Sequence, residues 1–318
     1  MTATLVGRRP EVPAAALIAA LTPPPHFSHA TFDSYQPDRQ FPSQARARDQ
    51  VRDFGRGATG GTVWGRRKSA GKGIYLDGGF GVGKTHLLAA LAHQGGQKAA
   101  LGTFVEYTNL VGALGFTATR EALAEFSLVC IDEFELDDPG DTVLMSRLMR
   151  ELADAGVALA ATSNTPPGAL GEGRFAAEDF QREIQALSSA FEVVAIDGPD
   201  YRHREGVEFP LPLSDQQVAQ ECDRPDAACE QWRALIDDLR HVHPSRFGAY
   251  LDDIAVLGVL DVAELRDQAE ALRWVALVDR LYERDVRMVA SGQPLTEIFS
   301  PTMLKGGYRK KYLRALSR

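Results

Sequence analysis

Two hydrophobic periods take turns along this chain. Largely apolar segments of strand length fall at residues 73–77, 102–107, 127–131, 156–162 and 191–196, and 127–131 reads as a continuous apolar run. Between them lie stretches of helical composition at 86–92, up to 121–126, and at 142–152. This alternation predicts an α/β fold: a parallel sheet covered by helices, whose strands read as unbroken apolar runs because both faces are buried. Upstream, residues 13–21 and 43–54 predict two helices, the first closed by Pro23-Pro24-Pro25, and the glycines of 55–61 predict a flexible joint. Beyond Pro210 and Pro212 the pattern restarts, with helices at 232–239 and 272–282 and strands at 254–260 and 286–290. The expected organisation is a helical N-terminal segment and joint (1–61), a sheet-bearing core (62–205) and a smaller α/β C-terminal region (206–318).

The first strand runs into Gly78-Gly79-Phe80-Gly81-Val82-Gly83-Lys84-Thr85, which fits G-x-x-x-x-G-K-[ST] between a strand and a helix. Glycines let several backbone N–H groups turn toward one anion, and the following helix N-terminus adds its positive dipole end. The four fixed positions coincide by chance in about one chain of this length in a hundred. The predicted phosphate cradle is Gly78, Gly79, Phe80, Gly81, Val82, Gly83, Lys84, Thr85 and His86. Lys84 would reach the β- and γ-phosphates of ATP and Thr85 would hold Mg²⁺.

The strand at 127–131 ends in Asp132-Glu133, at its carboxyl end, where open α/β sheets bind ligands. Asp132 would hold the Mg²⁺ and Glu133 would orient or deprotonate the attacking water; read alone, the pair is also an ordinary helix N-cap. The next strand ends in Ser163-Asn164-Thr165. Asn164 would touch the γ-phosphate if that strand lies beside the one carrying Asp132; the alternative is an Asx-turn opening the proline loop. Arg174 and Arg182 follow, each either a surface residue or an arginine finger acting on a neighbouring subunit.

Composition narrows the partners. The 318 residues are 44% hydrophobic and 25% charged, enough for a sizeable core, and no apolar run has the length of a membrane span. With no secretory pattern at the start, a cytoplasmic location is expected. Cys130, Cys222 and Cys229 suit neither a disulfide framework nor a zinc site, and His26 and His29 stand too isolated to argue for a metal. A net charge of −8 argues against a surface that wraps nucleic acid. The exception is Lys305, Arg309, Lys310, Lys311, Arg314 and Arg318, which form either a basic patch or a solvated helix face paired with the acidic body.

Taken together, Gly78 to Thr85, Ile131-Asp132-Glu133-Phe134, Ala161-Thr162-Ser163-Asn164 with Pro167 and Leu170, and Asp200-Tyr201-Arg202 resemble the ZapE cell-division ATPase family, a branch of the AAA+ ATPases. The resemblance implies an AAA+ core that hydrolyses ATP with Mg²⁺, with Lys84 and Thr85 as Walker A, Asp132 and Glu133 as Walker B and Asn164 as sensor. It also implies a cytoplasmic protein acting on the division-ring protein FtsZ, while mitochondrial relatives are linked to protein quality control. The family places a Leu-Gln-Arg soon after the sensor; here Phe180-Gln181-Arg182 lies several residues later, so Arg174 and Arg182 both stand as finger candidates. The end of the chain departs too, with Gly306-Gly307-Tyr308-Arg309-Lys310-Lys311-Tyr312 in place of a Ser-Arg-Leu and Glu-Met segment.

One internal echo stands outside that resemblance. Strand, acid, helix, strand, serine and proline loop occur in this order at 128–167 and again at 254–294, with Asp261 in the place of Asp132 and Val262 in that of Glu133. Either the C-terminal region holds a degenerate copy of the unit, or any two α/β segments look this alike. Three functions compete: a mechanoenzyme remodelling a protein, a nucleic-acid-associated loader of the helicase-loader type, and a small-molecule kinase. The acidic balance and the motif set favour the first. A homo-oligomer is expected, and recruitment to a membrane surface is left open.

Overall fold

The computed structural model describes residues 3–59, 73–79, 81–134, 139–165, 185, 189–199 and 211–317. They divide into two compact units, residues 14–205 and residues 1–13 with 206–318.

In the first unit β1 (Gly73–Gly78), β2 (Ala99–Thr103), β3 (Leu128–Asp132), β4 (Ala158–Ser163) and β5 (Phe191–Ile196) form one parallel sheet in the order β2-β3-β4-β1-β5. Successive residues serve opposite faces. Ile74, Leu76, Leu128, Cys130, Ala158 and Ala160 pack with α2 (Pro42–Thr59) and α3 (Lys84–Gly95). Tyr75, Val129, Ile131, Leu159 and Ala161 pack with α1 (Ala14–Ala19), α4 (Phe104–Leu114), α5 (Phe116–Ala124) and α6 (Pro139–Asp154). Burial on both faces explains why β3 and β4 read as unbroken apolar runs. Because β4 is inserted between β1 and β3, the order reverses beside β1, and the crevice for a ligand opens at the carboxyl ends of β1, β4 and β3.

Two sequence expectations change here. The run at 102–107 is not a strand: β2 stops at Thr103, which caps α4 by accepting from the Glu106 N–H while the Glu106 carboxylate takes the Thr103 N–H. The reciprocal cap and the helical spacing of Phe104, Tyr107, Leu110 and Val111 outweigh the local β preference of Phe-Val-Glu-Tyr. The glycine joint is shorter than expected, because α2 continues through Gly55 and Gly57 to Thr59. Gly55 lets α2 lie close to α3: a Cβ there would stand 2.7 Å from Cδ1 of the buried Leu91.

The second unit is built on β6 (Ala227–Gln231), β7 (Val256–Val262) and β8 (Arg287–Gly292), parallel and in that order. Around them lie α7 (Asp215–Glu221), α8 (Trp232–Asp238), α9 (Phe247–Tyr250), α10 (Gln268–Glu283) and α11 (Arg309–Ser317), with Trp232 and Trp274 edge to face at 4.7 Å in the core. Residues 3–9 belong to this unit. The Ala3 N–H donates to the Ala227 carbonyl (2.9 Å), and buried Glu230 accepts from the Thr4 hydroxyl and the Leu5 and Val6 N–H groups. Buried Asp238 accepts from the Gly7 N–H, Arg9 and the Tyr250 hydroxyl. Burial alone would raise the Asp238 carboxyl, but these donors outweigh it and hold it below the usual carboxylate range.

β7 and β8 are adjacent and parallel, as a copy of the β3-α6-β4 unit requires. The register differs from the sequence reading by one residue. Glu133 (φ 53°) and Asp261 (φ 57°) share the left-handed backbone. Each donates its N–H to a hydroxyl on the neighbouring strand, Thr162 at 3.1 Å and Ser291 at 3.2 Å. Asp261 therefore matches Glu133, and Leu260 stands where Asp132 does.

Candidate active site

The elements of the first unit bring the sequence-flagged residues to one place. The loop after β1 turns through Gly81 (φ 74°) and Gly83 (φ 88°), conformations that favour glycine. Gly78 is required sterically, since a Cβ would stand 2.4 Å from the Ile196 carbonyl. Gly83 then caps α3 without a side chain, leaving the first-turn N–H groups facing the loop. Such a helix start, opening on a glycine loop, suits an anion.

Lys84 is buried, and its ammonium donates to the carbonyls of Gly78 (2.8 Å) and Gly79 (2.6 Å) and to Asn164 Oδ1 (2.9 Å). β4 does lie beside β3, so Asn164 faces the phosphate loop. The local turn is closed by Ser163 instead, whose Oγ accepts from the Thr165 N–H at 3.0 Å. The Thr85 hydroxyl donates to Asp132 Oδ2 at 3.0 Å. A threonine hydroxyl beside a buried carboxylate is the hard-oxygen pair that fits Mg²⁺, a cation bound by few protein oxygens plus substrate phosphates. Burial pushes the Asp77 carboxyl up, against the pull of the Lys84 charge.

The His86 ring takes part differently from the loop glycines. Its Nε2 lies 2.9 Å from the Thr31 carbonyl and 3.1 Å from Ser34 Oγ, so the ring belongs to the upstream segment, and its first-turn backbone faces the loop. Phe80, Arg174 and Arg182 lie outside the described residues.

Several residues at the site were missed by sequence reasoning. Tyr35 packs its ring against Gly83, where a Cβ would stand 2.5 Å away, and donates its hydroxyl to the Val82 carbonyl at 2.9 Å. Gln44 bridges the Asp38 N–H and the Asp197 carbonyl, and Ser43 accepts from the Asp197 N–H, so the start of α2 is tied to the end of β5. Tyr75 donates to the Thr165 carbonyl (2.9 Å) and packs edge to face with Phe134, which steadies the segment after β4. The available signal was the set of aromatics Phe32, Tyr35 and Phe41 in an otherwise polar stretch, since isolated aromatics there need a surface to cover.

A family model described as AFG1-like ATPase matches residues 11–245 and 241–318. The cell division protein ZapE of Escherichia coli strain K12 is 30% identical over 305 residues, covering 79% of this chain and 80% of that protein. Lactation elevated protein 1 homolog B of Danio rerio is 34% identical over 91 residues, 28% of this chain and 18% of that protein. Among solved structures, DnaI is similar at a TM-score of 0.44 and 18% identity, over 56% of this chain and 93% of that one; a likeness this loose assigns nothing. The phosphate loop, the acids at the end of β3 and a family match along nearly the whole sequence lead to one conclusion: the chain belongs to the AFG1-like ATPase family and is an ATPase.

Proposed function

We propose that this chain couples ATP hydrolysis to remodelling of a protein partner, and that the partner is FtsZ, with the protein acting in the cytoplasm as a homo-oligomer. The observation that carries the ATP half is the meeting of Lys84, Asn164, Thr85 and Asp132 at the carboxyl ends of β1, β4 and β3. The partner half rests on similarity to a cell division protein.

In this reading the backbone from Gly78 to His86 cradles the phosphates, and Lys84 exchanges its carbonyl and Asn164 acceptors for phosphate oxygens. Thr85 and Asp132 would hold Mg²⁺, which would supply neutralising charge for the transferred phosphoryl group. Glu133 orients the attacking water and takes its proton. Asn164, released by Lys84, becomes the sensor of the γ-phosphate. Arg182 or Arg174 would act across a subunit interface as the finger.

A loader acting on nucleic acid is the second reading, since helicase-loader ATPases share the AAA+ core and the C-terminal basic residues could follow a phosphate backbone. Arg314 there is largely buried and ion-paired with Asp279 at 2.6 Å, which takes it out of a basic patch and favours the acid-paired reading. The test is phosphate release from ATP with and without polymerised FtsZ, using Glu133→Gln as the blank. Stimulation is the expected result. Turnover indifferent to FtsZ would keep the ATPase and remove this partner.

A further inference from the structure

One atom joins the two acids at the end of β3. Thr162 Oγ1 accepts from the Glu133 N–H at 3.1 Å and is also hydrogen-bonded to Asp132 Oδ1. A threonine hydroxyl has a single proton. The Glu133 N–H can only donate, so that proton goes to the Asp132 carboxylate. Thr162 and Asp132 are both buried, so the bond between them is shielded from bulk water.

The second unit supplies an internal control. Ser291 holds the left-handed Asp261 through the same N–H to hydroxyl bond, yet the position matching Asp132 is Leu260, which accepts nothing. Holding the left-handed residue is thus common to both units. Donation to a carboxylate is added only at the ATP site.

We propose that Thr162 is a positioning residue that fixes the rotation of the Asp132 carboxylate and the backbone of Glu133 through one oxygen, a reading that rests on the cation and water roles proposed for those two acids. With Oδ1 held by Thr162, Oδ2 is the oxygen nearer Thr85, at 3.0 Å against 3.3 Å. Without the hydroxyl, among the described residues only the Thr85 bond is left to set the Asp132 rotation, and the Glu133 N–H loses this acceptor. Cation affinity and water activation then fall together, although Thr162 touches neither cation nor water.

The experiment measures Mn²⁺ affinity by electron paramagnetic resonance in the presence of a non-hydrolysable ATP analogue, alongside kcat and Tm. Thr162→Val should lower Mn²⁺ affinity and kcat each by about tenfold or more, the range seen when a ligand-orienting partner is removed. Thr162→Ser, which keeps the hydroxyl, should stay within about threefold of the parent. Ser291→Val should move Tm and leave Mn²⁺ affinity alone. If Thr162→Val does not fold, Thr162→Cys, a weaker donor of similar size, should weaken Mn²⁺ binding more than Thr162→Ser does, and affinity equal to that of Thr162→Ser overturns the proposal. Asp132→Asn separates the layers. Undiminished Mn²⁺ binding there overturns the site reading and this inference with it, whereas loss in Asp132→Asn with none in Thr162→Val overturns this inference alone.

Discussion

Gly83→Ala is the substitution whose effect can be worked most fully from the structure. At φ 88° an alanine meets the left-handed penalty, about 1–2 kcal/mol. Its Cβ would also stand 2.5 Å from the Tyr35 ring, which must move and give up its hydrogen bond to the Val82 carbonyl, about 1 kcal/mol for a buried neutral bond. Together these come to about 2–3 kcal/mol, and if they fall on the loop conformation that binds phosphate, ATP affinity drops by about 30- to 150-fold. Tyr35→Phe alone removes only the hydrogen bond and should weaken binding about fivefold. Because Gly83→Ala already breaks that bond, the double variant should fall short of additivity by about 1 kcal/mol. Binding of a fluorescent ATP analogue, with Tm recorded in parallel, measures all four corners of the cycle. Full additivity would refute the claim that Tyr35 sits on the phosphate loop and shapes it.

Two further predictions concern the second unit. Asp238→Asn should cost about 1–3 kcal/mol at neutral pH by weakening the acceptor for Arg9, Tyr250 and the Gly7 N–H. The folded-state carboxyl titrates below its unfolded value, so its stabilisation is present above about pH 4 and lost as pH falls through the lower folded value. Thermal melts should therefore show the gap between parent and Asp238→Asn narrowing from pH 6 to pH 3, and a gap that widens would contradict the sign. Gly258→Ala places a Cβ 2.2 Å from Cys222 Sγ and 3.0 Å from Val218 Cγ1, and overpacking on the central strand should cost about 1–3 kcal/mol in urea unfolding.

Much of the first unit was legible because its signals are local. β3 and β4 are buried on both faces, so continuous apolar runs ending in polar residues gave their type and the end that bears the site. The loop glycines were readable because the required backbone is open to few other residues. The start of α4 carried a legible cap in Thr103 and Glu106, but the β-favouring residues between them masked it. β6 was not legible: Ala-Ala-Cys-Glu-Gln has little strand preference and exists through its pairing with β7. The tethering of residues 3–9 by Glu230 and Asp238 lies more than 220 positions away in sequence, and no local pattern announces it. Thr162 stands in the motif before Asn164, yet its double hydrogen bond depends on the register of β3 against β4, which only the folded sheet fixes.

The central claim, that Lys84 serves binding and Glu133 serves chemistry at one ATP site, is tested most directly by measuring ATP binding and single-turnover hydrolysis on Lys84→Ala and Glu133→Gln side by side. The account predicts that Lys84→Ala loses nucleotide binding, while Glu133→Gln binds ATP with near-parental affinity and loses hydrolysis by about a hundredfold or more. Equal loss of binding in both, or hydrolysis undiminished in Glu133→Gln, would contradict it.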